Sequence, residues 1–158
     1  MNIFYIDPCP LKAASMQCDK HVVKMILESA QMLCAAHHVV EGGAPVPYRL
    51  AHKNHPSTVW VRSNTKHYYW LYRHFHALSE EYTKRYGKVH MSWEKCSKLL
   101  LCAPSGMPDT DWSDPPQCMP DECKRETALA GYTEYYFNYK PKVIDMRWNG
   151  VKKNAKCN

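Results

Sequence analysis

An all-α fold is what this sequence predicts: a compact single-domain bundle of about four helices around a buried central helix, with long irregular loops. The 158 residues are 45% hydrophobic and 23% charged, as in an ordinary globular domain, so one domain spanning 1–158 is the simplest division. The segment 18–40 contains strong helix formers and neither glycine nor proline. Prolines concentrate instead in the segments 44–56 and 103–121, which predicts long loops there.

The central helix is predicted over 18–40, with Asp19 as its N-cap and Glu41-Gly42-Gly43 as its end. Its apolar residues recur on every side at helical spacing, so we expect it to be packed all round. His21 and Glu28 share one face with two methionines. A carboxylate in such surroundings finds a partner, lies at the rim, or is held with a shifted pKa for chemistry.

The other elements follow from local signals. Residues 2–6 are expected to be extended, and 11–17 to form one or two helical turns. A second helical region is predicted over 57–86, re-capped at Ser63-Asn64 and ended by Gly87. Ser92 is predicted to cap a short helix that ends at Leu101, and a last helix is predicted from about Pro120 to Tyr139.

Composition also narrows the class of protein. No apolar run approaches the length of a membrane span, and the first residues lack the pattern of a signal peptide. We therefore expect a monomeric cytoplasmic protein without membrane contact. The eight cysteines are interpreted as reduced thiols in the core and on the surface rather than as disulfides.

The excess of positive charge is greatest at the end of the chain. The net charge is +6, and the tail from about 139 to 158 holds six basic residues against Asp145 alone. Those six are Lys140, Lys142, Arg147, Lys152, Lys153 and Lys156. Such a tail can lie along a phosphate backbone, or it can be a solvated segment that aids solubility.

A second basic cluster precedes a predicted helix, in the loop 44–56. It comprises Arg49, His52, Lys53, Asn54 and His55. Helix N-termini with adjacent basic side chains are natural phosphate sites. The alternative is an ordinary polar loop in which Asn54 or His55 caps the helix that follows.

Two further patterns in the sequence are candidates for ligand binding. Cys18 and His21 are spaced like half of a zinc site, but no second Cys/His pair completes it, so neither a metal nor another cofactor is predicted. Tyr135 and Tyr136 precede the basic tail and are candidates for stacking on exposed bases. The alternative for both tyrosines is simple core packing.

The order of these motifs resembles the phage pyrimidine-dimer DNA glycosylase/AP-lyase family of the endonuclease V type. The resemblance lies in Asp19-x-His21 followed by Glu28 within the leading helix, in the helix ending EEYTKRYGKV, and in the late segment GYTEYYFNYK. Asn54-His55-Pro56 is similar to a motif of bacterial relatives.

The resemblance implies an all-α enzyme acting on double-stranded DNA, in the host cytoplasm if the chain is phage-encoded. It implies an amine nucleophile at Met1 or Asn2 that forms a Schiff base with the sugar, assisted by the carboxylate of Glu28. The residues expected to bind DNA are His21, Lys20, Lys24, Arg49, His52, Lys53, Asn54, His55, Tyr135, Tyr136, Lys140, Lys142, Lys152 and Lys153.

The chain departs from the family pattern around both reacting groups. Asn2 stands where the family has a small residue exposed by removal of Met1, and Leu27 and Gln31 stand where the family has arginines. Lys20 or Lys24 is an alternative source of the amine. Two other functions stay open: a transferase that modifies a thymine derivative in phage DNA, and a catalytically inactive DNA-binding or inhibitory protein of the same fold.

Overall fold

Every regular element of residues 1–150, the part of the chain that this computed structural model describes, is helical. The all-α prediction is therefore confirmed. The α-helices are α1 (Pro10–Ser15), α2 (Asp19–Val40), α3 (Pro56–Arg62), α4 (Thr65–Tyr86), α5 (Met91–Cys96), α6 (Ala128–Thr133) and α7 (Lys140–Val143). A 3-10 turn covers Asp121–Cys123, and a π-helical segment, Glu134–Tyr139, joins α6 to α7. Within this part of the chain, none of the helices combines the length and apolar content needed to cross a bilayer.

Helix α2 is the centre of the core and packs against α3, α4 and α5. Its inward residues, such as Ile26 and Leu33, are fully buried. The prediction that it is packed on every side is wrong for one stripe, because Val23 and Leu27 are 39% and 38% exposed. That stripe also carries exposed lysines, so α2 presents one face to solvent.

The start of α2 differs from the predicted N-cap. Cys18 occupies the N-cap position without a side-chain capping bond, and Asp19 is the first helical residue. The Asp19 carboxylate instead accepts hydrogen bonds from the Arg85 guanidinium at 3.1 Å and from the Gly150 N–H at 3.1 Å. Asp19 therefore ties α2 to α4 and to the end of the described chain.

The break predicted at Ser63-Asn64 is confirmed. Asn64 caps α4 by accepting a hydrogen bond from the Lys66 N–H, and α4 ends at Gly87, whose φ of 70° is in the left-handed region. His55 caps α3 through its ring nitrogen, which accepts from the Ser57 N–H at 3.2 Å. This is the capping role that the sequence left open between Asn54 and His55.

The later helices begin and end at other residues than predicted. His90, rather than Ser92, caps α5, and α5 ends at Cys96 rather than at Leu101. The last helical segment begins at Ala128, because Thr127 accepts a hydrogen bond from the Ala130 N–H and caps it there. The predicted start near Pro120 is only the 3-10 turn.

Candidate active site

The first residues of the chain lie directly on the carboxylate of Glu28. The N–H of Asn2 donates to Glu28 Oε2 at 3.2 Å, and the Met1 α-amino nitrogen is 4.0 Å from the same oxygen. Burial of the next residues, Ile3 to Ile6, at 0–4% exposure anchors this segment in the core. The two backbone nitrogens therefore approach the carboxylate from a fixed segment of chain.

Local hydrogen bonds set the path of this segment. The Asn2 Oδ1 atom accepts from the N–H groups of Ile3 and Phe4 at 2.7 and 3.0 Å, and its Nδ2 donates to the Cys118 carbonyl at 2.9 Å. Phe4 has a φ of 53°, a left-handed conformation that is strained for a residue with a side chain. Its ring lies 4.6 Å from the His21 ring, between centroids.

This geometry provides an amine at Glu28 whether or not Met1 is removed. With Met1 in place, the α-amine is 4.0 Å from the carboxylate. After its removal, the nitrogen of Asn2 would become the α-amine, and in the structure this nitrogen is 3.2 Å from the same oxygen. With or without Met1, the α-amine therefore lies within 4.0 Å of Glu28 Oε2.

Lysines surround the carboxylate on the exposed side. Lys24 Nζ is 3.2 Å from Glu28 Oε1 and is 65% exposed, and Lys20 is exposed one turn earlier on α2. Lys140 lies with its ammonium 5.1 Å from the ring centroids of both Phe4 and Tyr135. Burial, and secondarily the charge of Lys24, lower the pKa of Lys140, while Glu28 acts in the opposite direction. The result is a positive rim around one negative group.

His21 lies beneath this rim and is 4% exposed. The hydroxyl of Tyr136 accepts from the Cys18 N–H at 2.9 Å and shares a hydrogen bond with His21 Nδ1 at 2.7 Å. The Cys18 thiol lies 3.3 Å from the same ring nitrogen. Burial, followed by the charges of Lys140, Lys24 and Lys20, lowers the pKa of His21 to about 4, so the ring is neutral at pH 7.

The prediction that Tyr136 binds DNA is corrected by its position. The residue is fully buried, so its ring offers no face on which a base could stack. Burial also raises the pKa of its hydroxyl, which keeps the hydroxyl protonated beside His21. Tyr136 acts as a support for His21, whereas its neighbour Tyr135 is half-buried beside Lys140.

His55 links the loop 44–56 to the site. Cys118 joins the two segments, since its carbonyl accepts from Asn2 while its thiol is 3.4 Å from the Ser57 hydroxyl, two residues after His55. Burial lowers the pKa of His55, as do the charges of the N-terminal amine and of His52, while Glu28 raises it. His55 therefore lies in the electrostatic field of both the N-terminal amine and Glu28.

The remaining predicted DNA-binding residues are at the surface or beyond the described chain. Arg49, His52, Lys53, Asn54 and Lys142 are exposed. The Lys53 carbonyl accepts a hydrogen bond from Arg62 at 2.6 Å, which fixes the loop against α3. Lys152 and Lys153 lie outside the described residues.

Three residues that shape the site are not predicted from the sequence: Phe4, Cys118 and Arg85. Phe4 and Cys118 make their contacts with residues distant in sequence, and no local pattern marks them. Arg85 falls in the helix ending EEYTKRYGKV, whose resemblance to the family was the available signal. Within residues 1–150, no group of three or more His, Cys, Asp or Glu side chains is arranged to hold a metal ion.

One comparison with known proteins matches this chain. No curated protein and no solved structure matches it. A family model described as pyrimidine dimer DNA glycosylase matches residues 1–95, well over half of the chain. The matched segment contains the N-terminal residues, His21, Glu28 and His55, and it runs from α1 through α4 into α5. The chain belongs to the pyrimidine dimer DNA glycosylase family.

Proposed function

We propose that the protein is a DNA glycosylase with AP-lyase activity, which removes a damaged or modified pyrimidine from double-stranded DNA. The observation that carries this proposal is the approach of the Asn2 and Met1 nitrogens to Glu28 Oε2, at 3.2 and 4.0 Å. An amine beside a carboxylate is the pair that Schiff-base chemistry on a sugar requires. Membership of the family supports the same reaction.

In the first step, the lone pair of the α-amine attacks C1′ of the deoxyribose. The bond between C1′ and the base breaks, its electron pair leaves with the base, and the base takes a proton from solvent. The amine loses a proton. The C1′–O4′ bond then breaks, O4′ takes its electron pair and the proton that the amine lost, and a protonated C1′=N bond remains. The Glu28 carboxylate stabilises the positive charge that develops on the sugar.

In the second step, Glu28 accepts a proton from C2′. The electrons of that C–H bond form a C2′=C3′ double bond, and the 3′ phosphate leaves, which cuts the strand. Water then hydrolyses the C1′=N bond and releases the amine. Glu28 serves both steps because the nitrogen bonded to the sugar holds C1′ and C2′ close to it.

An α-amine is better suited to the first step than a lysine. In model compounds, α-amines titrate near pH 8 and lysine side chains near 10.4, so α-amines supply far more unprotonated nucleophile at neutral pH. The lysines at the rim suit a different task, the binding of phosphates. We assign Lys20, Lys24, Lys140 and the exposed residues of the loop 44–56 to the DNA backbone.

Base access requires the nucleotide to leave the helical stack, at a cost of a few kcal/mol. The exposed stripe of α2 supplies a surface for the opened duplex, since Val23 and Leu27 are exposed beside Lys20 and Lys24. The half-buried ring of Tyr135 is placed beside Lys140, where a ring and a cation can contact one nucleotide together.

Borohydride trapping tests the reaction. Wild-type protein is expected to form a covalent adduct with duplexes that carry an abasic site or ultraviolet damage, and Glu28→Gln should slow adduct formation by about 100-fold or more. Glu126→Gln, an exposed carboxylate elsewhere, is the matched control and should behave as wild type. Wild-type protein that binds these duplexes without forming any adduct would disprove the mechanism.

Peptide mapping of the trapped adduct identifies the nucleophile. We expect the sugar on the tryptic peptide that ends at Lys12, because this peptide carries the α-amine. Lys24→Gln should still form the adduct, since Lys24 only adjoins the carboxylate. An adduct on a peptide containing Lys20 or Lys24 would instead assign the chemistry to a lysine.

A further inference from the structure

A second cavity, of about 430 Å³, lies beside α1 and α4 and contains none of the residues of the Glu28 site. Its lining consists of three aromatic residues, two cations and two prolines. We call it the tryptophan pocket, after Trp70 and Trp112; the other aromatic residue is Tyr69, and the cations are Lys66 and Arg73. No acidic side chain is part of the lining.

The aromatic walls are held in place from behind. Tyr5 packs beneath them, with ring centroids 5.3 Å from Trp70 and 6.3 Å from Trp112. The Trp70 Nε1–H donates to the Pro8 carbonyl at 2.8 Å, and the Trp112 Nε1–H donates to Asp114 at 3.0 Å. Trp112 remains 38% exposed and Tyr69 39% exposed, so both offer ring surface to a ligand.

The cations differ in how far they are already engaged. Lys66 Nζ donates to the Thr110 carbonyl at 2.8 Å and is 3.9 Å from Asp109. The Arg73 side chain is exposed, and across residues 1–150 its guanidinium takes part in no hydrogen bond or ion pair. Arg73 is therefore the group available to an incoming anion.

Two carboxylates of the neighbouring loop have partners within the protein. Asp114 accepts from the Trp112 Nε1–H at 3.0 Å, and burial followed by the charge of Asp114 raises the pKa of Tyr5. Asp109 accepts from the Thr65 hydroxyl at 3.2 Å and faces Lys66. Both carboxylates are bound to the protein itself.

We propose that the tryptophan pocket binds a nucleotide, with the base stacked on Trp112 and the phosphate on Arg73. Rigid aromatic rings next to an unpaired cation are the combination that holds unpaired nucleotides without reading their sequence. The nucleotide is either free or part of a single strand, since both present the same base and phosphate. This site is separate from the proposed reaction and does not depend on it.

Anisotropy titration of the full-length protein with a short fluorescein-labelled oligothymidylate tests the site. Arg73→Gln and Trp112→Ala are each expected to weaken binding about tenfold, and Trp112→Phe should retain most of the affinity because it keeps an aromatic face. Lys98→Gln removes one exposed cation elsewhere and is the matched control. Arg73 is at the surface, so its replacement tests the pocket without disturbing the core.

Further measurements distinguish free nucleotides from single strands as the ligand, and distinguish this proposal from the proposed glycosylase reaction. If thymidine 5′-monophosphate displaces the probe from the wild type but not from Arg73→Gln, the pocket binds free nucleotides. If only an oligonucleotide displaces the probe, the pocket binds single strands. A failed glycosylase assay leaves this result intact, because the probe carries no damaged or abasic nucleotide and the pocket contains no residue of the Glu28 site. Equal affinities of Arg73→Gln and Lys98→Gln, or no binding by the wild type, would overturn the proposal.

Discussion

At the residue scale, the setting of His21 depends on a hydroxyl supplied from the far end of the chain. Tyr136 bonds both to the His21 ring and to the Cys18 N–H at the start of α2. The Cys18 thiol also lies 3.3 Å from His21 Nδ1. One buried hydroxyl thus helps to position the ring beneath the proposed catalytic carboxylate.

Removal of that hydroxyl should have a measurable cost. Tyr136→Phe removes the hydroxyl partner of the Cys18 N–H and leaves His21 Nδ1 with only the Cys18 thiol, at 3.3 Å. We therefore expect the free energy of unfolding to fall by about 1–3 kcal/mol. Urea denaturation at pH 7 measures the change. Tyr139→Phe removes a hydroxyl from a half-buried ring nearby and should stay within about 0.5 kcal/mol of wild type. Equal losses in the two variants would contradict the role of the bond.

At the element scale, the buried guanidinium of Arg85 holds three segments together. It donates to the carbonyls of Ser15 and Gln17 at 3.1 and 2.8 Å, which lie at the end of α1 and in the turn after it. It also pairs with Asp19 on α2 and with Glu81 on its own helix, both at 3.1 Å. The start of α2, and hence the setting of Glu28 two turns on, is fixed through this residue.

Arg85→Ala should therefore destabilise the fold strongly. It leaves two carboxylates and two carbonyls without their cation in a region where the Arg85 side chain is 0% exposed, and breaking such a buried pair costs about 3–5 kcal/mol. Thermal and urea unfolding measure the effect. Lys88→Ala, which removes an exposed cation just after α4, should change stability by less than about 0.5 kcal/mol. A similarly small loss for Arg85→Ala would show that the network is not needed.

The elements differ in how far the sequence predicts them, and the difference is physical. The periodicity of α2, the break at Ser63-Asn64 and the end at Gly87 depend on residues a few positions apart. The caps by His90 and Thr127 differ from the prediction because Ser92, two residues after His90, and Pro120, in the segment before Thr127, carry good local signals of their own. The contact of Asn2 with Glu28 spans 26 residues, so only the resemblance to the family could bring the two together beforehand.

At the scale of the whole molecule, the bundle encloses histidines that stay neutral in the folded state. His74 is fully buried against Trp70, with ring centroids 5.1 Å apart, and its pKa is lowered to about 3 by burial. Its Nε2 lies 3.1 Å from Gln17 Nε2, and its Nδ1 has no partner among the described residues. His21 adds a second such group, with a pKa of about 4.

Because these two rings are held neutral, we expect the fold to lose stability in mild acid. Their pKa values in the folded state lie below the ordinary 6.5, so the unfolded chain takes up protons first as the pH falls. Stability therefore declines from pH 6.5 to about 4 on account of His21, and to about 3 on account of His74. By pH 5 each ring should remove about 2 kcal/mol from the free energy of unfolding. Urea denaturation at pH 7 and at pH 5 measures this drop.

Two variants assign the drop to the buried rings. His74→Phe should make the difference between pH 7 and pH 5 smaller by about 2 kcal/mol, whatever its stability at pH 7, because each variant is compared with itself. Leu71→Ala, a destabilising change at a fully buried residue without a titrating group, should keep the full difference. If His74→Phe also keeps it, the acid sensitivity belongs to other groups. A smaller difference in His74→Phe alone would show that the folded state loses stability below neutral pH because it holds His74 in its neutral form.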